Sequence, residues 1–294
     1  MKNRYSLYVL LAGTLWGFMG FFRRTLDGMG VSAVGVIAIR GLFAALFFGA
    51  VMLISRRSDF KIKLKDFWIF FGCGIISLMF FGFCYFKAMD HMSLSTAAIL
   101  LYTAPSFVML MSVLLFGEKL TGRKLLALAL AFLGCCFVSG IGTGEGHITL
   151  VGFAFGIGAG LFYALYSIFA RFALNRGYSS FTVNFYACIL AAVGATLLDK
   201  GTYVPIVFES DSNALFCTAT GFFSCFLPYL FYTKGLEGLE NSKASTMASV
   251  EPVVATLLGV VMYDEKLTLI GIFGIILVLS AIVILNTNLK SSET

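Results

Sequence analysis

Long apolar runs, separated by short polar breaks, fill almost the whole chain. Each run is close to the ~20 residues that a helix needs to cross the hydrocarbon core of a bilayer. The ten runs lie near residues 6–26, 32–54, 67–87, 93–116, 124–140, 149–172, 180–198, 213–234, 243–263 and 268–287. Only 12% of the residues are charged, about half the share in a soluble domain. The runs lack strict alternation and therefore predict ten transmembrane helices rather than barrel strands.

Lysine and arginine are distributed unevenly around these runs. With a cytoplasmic N-terminus, fifteen of the 21 basic residues lie in cytoplasmic segments and five lie outside. Basic residues favour the cytoplasmic side of a membrane protein, so both termini are expected in the cytoplasm. The basic stretch from Arg56 to Lys65 then contacts membrane lipid, and no nucleic-acid partner is expected.

The tetrapeptide EKLT occurs twice, in LFGEKLTGR at 115–123 and in MYDEKLTL at 262–269. The two glutamates, Glu118 and Glu265, are 147 residues apart, which is half of the 294-residue chain. The same offset aligns further identical residues: Tyr85 with Tyr232, Lys87 with Lys234, and Pro105 with Pro252. We therefore expect a duplicated five-span unit, with repeats over residues 1–147 and 148–294.

The odd number of spans in each unit decides how the two repeats are related. A second unit of five spans enters the membrane from the opposite side, which makes the repeats inverted. Inverted repeats around a central site let one arrangement open inward and its mirror arrangement open outward. This alternating access is typical of a secondary transporter.

Several motifs resemble the EamA-type transporters of the drug/metabolite transporter superfamily. They are LWG at 15–17, AIRGLFAAL at 38–46, YTAPSFVMLMSVLLFGEKLTGRK at 102–124 and SVEPVVATLLGVVMYDEKLT at 249–268. The resemblance covers essentially the whole chain. It implies an all-α bundle of ten helices around a central cavity, with the fifth and tenth spans at the periphery. It also implies transport, commonly export, of amino acids or similar metabolites across a prokaryotic inner membrane, without a cofactor.

Two charged residues lie inside apolar runs. Arg40 is about 9–12 Å into the second span at ~1.5 Å per residue, where a guanidinium needs a partner or an aqueous cavity. It holds either a substrate carboxylate in a bidentate fork or a structural partner, and both interpretations stay open. Glu251 aligns with Ala104 in the first half, and this asymmetry favours a specific task, such as binding an amine or exchanging a proton. A structural pair with Arg40 or a tyrosine hydroxyl is the alternative.

Aromatic side chains inside the spans are expected to line the cavity and to bind amine-bearing or aromatic cargo. The candidates are Trp16, Tyr85, Tyr102, Tyr163, Tyr166, Tyr229 and Tyr232. Pro105 and Pro252 are expected to kink the fourth and ninth helices beside the site. Lys87 and Lys234 end the third and eighth spans and are candidate gates, with snorkelling to the membrane interface as the alternative.

Small residues in the sixth span form the pattern GxxxGxxxG at Gly152, Gly156 and Gly160, which predicts close helix packing. The seven cysteines all fall within apolar runs and form no CxxC pair. They are interpreted as small buried hydrophobes, and no metal site is expected.

The leading hypothesis is a transporter of a small amino acid or amine-bearing metabolite, either proton-coupled or a uniporter. A second hypothesis is a carrier of phosphorylated or nucleotide-linked sugars, although Arg40 is the only basic residue well inside a span. A different class is a non-transporting scaffold or lipid scramblase, in which Arg40 and Glu251 only pair with each other. No enzyme motif is present, so the chain is expected not to be an enzyme. It is expected to act as a monomer or homodimer.

Overall fold

The described part of the chain is built from helices. A computed structural model describes residues 2–92, 94–139, 149–263 and 268–286. The long helices are α1 (Arg4–Gly28), α2 (Ala33–Ser55), α3 (Leu64–Met89), α4 (Thr96–Phe116), α5 (Gly122–Val138), α6 (Leu150–Asn175), α7 (Ser180–Asp199), α8 (Asp211–Leu236), α9 (Asn241–Tyr263) and α10 (Leu269–Asn286). Within the described ranges, nine of them are long and apolar enough to cross a membrane. The helix in the place of the fifth predicted span, α5, has 17 residues.

The turns that begin α2 and α7 have the same design in both halves. Gly30 and Gly177 have φ angles of 86° and 83°, a left-handed conformation that glycine adopts without steric cost. Two residues later a serine caps the next helix: Ser32 accepts from the Gly35 amide, and Ser179 accepts from the Thr182 amide. These residues are repeat-related at the 147-residue offset, so local sequence fixes the same turn twice.

The threonine of each EKLT motif caps the helix that follows it. The Thr121 hydroxyl accepts from the Lys124 amide at 3.3 Å at the start of α5. The Thr268 hydroxyl accepts from the Gly271 amide at 3.0 Å at the start of α10. Part of the repeated motif is therefore explained by helix capping.

The repeat-related helices α2 and α7 are antiparallel. Ser32 at the start of α2 donates to Asp199 at the end of α7. Ser179, just before α7, donates to Asp59, just after α2, at 2.6 Å. Helices α5 and α10 also run antiparallel, since a Cβ at Gly134 would contact Val278, while Val138 lies against Gly274. Antiparallel packing of equivalent helices is what an inverted repeat requires.

Close backbone contacts join α1 to α9 and α6 to α4, again as repeat-related pairs. A Cβ at Gly13 would lie 2.9 Å from the Ala248 carbonyl oxygen, and one at Gly160 would lie 3.3 Å from that of Leu101. Both carbonyls lack their usual helical donor, because the residue four positions later is Pro252 or Pro105. Glycine on the facing helix lets the backbones approach these carbonyls, and α1 and α6 thereby exchange partners between the two halves.

The prolines also coincide with interruptions of their helices. Regular α-helix in α4 stops at Leu101 and resumes at Ala104, and in α9 it stops at Ala248 and resumes at Val250. Helices α3 and α8 contain π-helical stretches at matching positions, Gly72–Met79 and Phe222–Phe226. Such irregular backbone inside a membrane protein is tolerated where it is buried in protein or lines a cavity.

The predicted close packing of α6 is present at all three glycines. A Cβ would lie 2.7 Å from His91 at Gly152, 2.4 Å from Leu100 at Gly156 and 2.6 Å from Thr103 at Gly160. The seven cysteines are buried and free. The proposed boundary between the repeats, residues 147 and 148, lies outside the described residues, and so does Glu265.

Candidate substrate-binding cavity

A cavity of about 670 Å³ lies at the centre of the bundle. Every long helix contributes to its lining. At one end it reaches Arg24, Met89 and Tyr263, which lie near the ends of α1, α3 and α9. We refer to this end as the mouth. Ligand cavities in proteins are commonly about 300–1,000 Å³, so the space suits a small metabolite.

Arg40 projects from α2 to the cavity wall and is held by the π-helical stretch of α8. Its Nε donates to the Ser224 hydroxyl at 3.0 Å, and its Nη2 donates to the Ser224 carbonyl at 2.7 Å. No other residue in the described ranges accepts a hydrogen bond from the guanidinium, which is half-buried and lines the cavity. Arg40 is thus oriented by its contacts with Ser224 at the cavity wall.

Glu251 reaches the cavity from α9, one residue before Pro252, which also lines it. Tyr163 lies beside its carboxyl group, and the Arg40 guanidinium is near enough to act on it electrostatically. No ion pair within 4.0 Å joins Arg40 and Glu251 in the described part of the chain. Of the two structural partners expected for Glu251, Arg40 and a tyrosine hydroxyl, Tyr163 lies beside the carboxyl group, while Arg40 bonds Ser224.

Aromatic rings form the floor of the cavity at the end away from the mouth. The Trp16 ring lies 5.2 Å from that of Tyr229, 5.3 Å from Tyr232 and 6.2 Å from Tyr163, measured between centroids. Trp16 itself is only 6% exposed. Tyr85 and Tyr102 line the walls between this floor and the mouth.

Two of the candidate tyrosines lie behind the cavity lining. Tyr166 donates to Asn184 at 2.5 Å and shares a hydrogen bond of 2.7 Å with Thr233. The Tyr232 hydroxyl bonds that of Ser167 at 2.8 Å, while its ring touches Trp16. Their hydroxyls are satisfied by protein groups, so they support the floor from below.

The predicted gate lysines and the first proline also lie away from the cavity. Lys87 forms an exposed ion pair with Asp90 at 3.0 Å. Lys234 lies 5.6 Å from the centroid of the Phe181 ring. Pro105 is buried in α4, next to the interruption of that helix. The roles of these residues stay predictions.

Two charged residues of the described lining were not among the candidates: Arg23 and Arg24, both at the mouth. Hydropathy alone places them at the end of the first apolar run, but α1 continues to Gly28 and carries them along the cavity wall. Arg23 forms an ion pair with Asp27 at 3.1 Å and lies over Phe86. Arg24 lies 4.1 Å from the centroid of the Tyr263 ring. A basic pair at the end of a long span was the signal that could have found them.

Comparison with known proteins agrees with this architecture. The sequence matches the EamA-like transporter family twice, over residues 3–140 and 150–287. An uncharacterized transporter of Archaeoglobus fulgidus is 26% identical over 282 residues, covering 95% of this chain and 97% of the relative. An uncharacterized transporter of Bacillus subtilis, YxxF, is 24% identical over 281 residues, covering 94% of this chain and 88% of the relative.

The fold has a counterpart among solved structures. One crystal structure superposes with a TM-score of 0.80 at 18% sequence identity, covering 97% of each chain. Both repeats match one family, all the described long segments are helical, and the relatives are named as transporters of prokaryotes. This chain is a multi-pass membrane protein and belongs to the EamA-like transporter family.

Proposed function

We propose that the protein is a secondary transporter that moves a small amino acid or another amine-bearing metabolite by alternating access. The observation that carries this proposal is the presence of opposite charges, Arg40 and Glu251, in one aromatic-walled cavity. The two groups do not neutralise each other in a close ion pair. Each is instead oriented by an uncharged neighbour, which leaves both charges for a ligand.

The chemistry of the two groups fits the two ends of a zwitterion. The Arg40 fork suits a carboxylate, because a guanidinium donates two parallel hydrogen bonds to it. Glu251 suits an ammonium group. Tyr85, Tyr102 and Tyr163 lie near enough to Glu251 to interact with its carboxylate electrostatically. Aromatic faces attract cations, so these rings reinforce the attraction for an amine.

Sidedness and coupling complete the proposal. With both termini in the cytoplasm, as the basic residues predict, the mouth opens to the outside. We propose export across the inner membrane, the direction that the family resemblance implies. Glu251 supplies a carboxyl group among the described residues of the lining, and we propose that it exchanges a proton during the cycle when amine cargo leaves. No enzymatic activity is part of this proposal.

The proposal is tested by reconstituting the protein and recording solute-induced currents across amino acids, amines and sugar phosphates at several pH values. We expect pH-dependent currents with amino acids or amines that vanish in Glu251→Gln. Glu240→Gln is the matched control, because this exposed carboxylate lies outside the cavity. Wild-type currents in Glu251→Gln would contradict the role of Glu251, and a response to sugar phosphates alone would contradict the substrate class.

A phosphorylated cargo is the second candidate, and the arginines of the mouth favour it. Among the described residues of the lining, Arg23, Arg24 and Arg40 supply three guanidinium groups and Glu251 supplies one carboxylate. Arg23 and Arg24 lie near the helix ends, however, and each already has a protein contact. They suit the capture of an anionic group at the mouth better than a central phosphate site.

A further inference from the structure

The end of the bundle opposite the mouth is closed by a carboxylate from one repeat bound to a helix of the other. Gly117 ends α4 in a left-handed conformation with φ 65°, and the chain turns so that Glu118 points to the start of α9. The carboxylate accepts from the Asn241 amide at 2.6 Å, from the Ser242 amide at 3.3 Å and from the Ser242 hydroxyl. A carboxylate at a helix N-terminus satisfies amides that lack helical partners.

Two basic residues complete this contact, and its central charges are shielded from water. The Lys124 ammonium lies 3.6 Å from the Glu118 carboxylate, and the two side chains are 11% and 8% exposed. Arg171 of α6 donates to the Asn241 side chain at 2.8 Å and to the Leu239 carbonyl. We call Glu118, Lys124, Arg171, Asn241 and Ser242 the Glu118 cluster.

The Glu118 cluster connects directly to the cavity floor. The Asn241 side chain donates to the Ser167 carbonyl at 3.3 Å, and the Ser167 hydroxyl bonds that of Tyr232 at 2.8 Å. The Tyr232 ring in turn packs against Trp16. A continuous layer of aromatic and polar contacts therefore separates the cavity from this end of the molecule.

The repeat relation supplies an independent observation at the mouth. Arg171 of the closed end and Arg24 of the mouth are counterparts at the 147-residue offset. Arg171 donates two hydrogen bonds at the start of α9, and Arg24 lines the cavity at the mouth beside Tyr263, at the end of the same helix. The same position of each repeat therefore lies next to α9, at its start in one repeat and at its end in the other.

We infer that the Glu118 cluster holds the two repeats together in the state seen here and must separate before the cavity opens at that end. This inference rests on the proposed alternating access. Glu118 is a positioning residue: it contacts no cargo, and it favours the state that is open at the mouth. Removing its charge shifts the population toward the other state.

The test compares E118Q with E240Q by thiol accessibility. Glu240 also pairs with Lys124, at 2.8 Å, but its side chain is 52% exposed and makes no capping hydrogen bond to the helix that it precedes. Exposed pairs contribute little, so it is a matched control. Ser245→Cys reports on the closed layer, where Ser245 is 5% exposed and lies beside Tyr232. Met89→Cys reports on the mouth.

Each cysteine variant is alkylated in nanodiscs by a charged maleimide. Mass spectrometry then follows the alkylation of the peptide that contains the introduced cysteine. We expect E118Q to raise the rate at position 245 about tenfold, because hydrogen bonds to a charged group are lost, and to lower the rate at position 89. E240Q leaves both rates near those of the parent. An unchanged rate at 245 in E118Q overturns the inference. A rise at both positions overturns it too, because it shows loosened packing.

The alkylation rates test the Glu118 cluster, and the solute-induced currents test the proposed function, so the two claims can be contradicted independently. Opposite changes at the two positions without any solute-induced current support the Glu118 cluster and contradict the proposed function. Currents without a change in accessibility in E118Q support transport and contradict the role of the cluster.

Discussion

Arg40 bonds a neighbouring helix and also faces the cavity, so a structural contact and the proposed ligand contact meet in one residue. Its Nε and Nη2 bind Ser224, and the rest of the guanidinium remains at the cavity. The repeat-related positions are Ala187 and Ser77. Ser77 is buried without a hydrogen-bond partner in the part of the chain that the structure describes. The first repeat therefore keeps the serine, whereas the second repeat has Ala187 in place of the arginine that would bind it. The charge of the site comes from this asymmetry between the halves.

The variant Arg40→Lys separates these two functions. Lysine carries the charge but lacks the planar fork that binds Ser224 and a carboxylate together. We expect the KM for a transported amino acid to rise about tenfold or more, while the KM for the corresponding decarboxylated amine changes little. Solute-induced currents with the two compounds measure both values.

Ser224→Ala is the matched control for this prediction. It removes the hydroxyl that orients Nε and leaves the carbonyl that binds Nη2, so a smaller rise in the KM for the amino acid is expected. An equal loss of amino acid and amine transport in Arg40→Lys would show that Arg40 acts only on the packing of α2 against α8.

Sequence reasoning identified Arg40 and Glu251 because charges inside apolar runs are conspicuous. It could not tell which tyrosines line the cavity. Tyr163 and Tyr166 are three residues apart on α6, so they share a helix face. Whether each tyrosine lines the cavity depends on partners distant in sequence: Tyr163 lies beside Glu251 of α9, and Tyr166 binds Asn184 of α7. Periodicity within one helix contains no information about those partners.

At the scale of the helices, close packing depends on glycines that face a backbone carbonyl. On α6, a Cβ added at Gly160 would lie 2.6 Å from the Thr103 side chain and 3.0 Å from the Leu100 carbonyl oxygen. A Cβ added at Gly158 would have its nearest neighbour at 3.6 Å. The same helix thus offers a tight and a tolerant glycine two residues apart.

Gly160→Ala is therefore expected to destabilise the protein and Gly158→Ala to leave it unchanged or slightly more stable. Overpacking at a tight contact costs about 1–3 kcal/mol, whereas alanine in place of a helical glycine gains up to ~1 kcal/mol. Thermal unfolding in detergent compares the two variants with the wild type. Equal melting temperatures for both variants would contradict the packing account of α6.

Helix positions were predictable from hydropathy, but helix ends were not. The first predicted run stopped at residue 26, whereas α1 extends to Gly28 and carries Arg23 and Arg24 to the mouth. Hydropathy records where apolar residues stop, whereas a helix continues for as long as its polar end residues find partners, here Asp27 and Tyr263. The interruptions of α4 and α9 lie just before Pro105 and Pro252, where proline removes a backbone donor, and kinks beside the site stay a prediction.

At the scale of the whole molecule, the first helix of each repeat packs against helices of the other repeat. Helix α1 packs on α8 and α9 of the second half, and α6 packs on α3 and α4 of the first half. Each half therefore depends on the other for its core. The duplication was visible in the sequence through EKLT, whereas the contact of Glu118 with α9 joins residues more than a hundred positions apart and required the fold.

The central claim, that one cavity opens at alternate ends, is tested most directly by paired distance measurements. Spin labels at Met89 and Met262 span the mouth, and labels at Lys119 and Glu240 span the opposite end. We expect saturating amino acid in proteoliposomes to add a population with a shorter mouth distance and a longer distance at the opposite end. If both distances change in the same direction, or neither changes while solute-induced currents flow, the claim of alternate opening is contradicted.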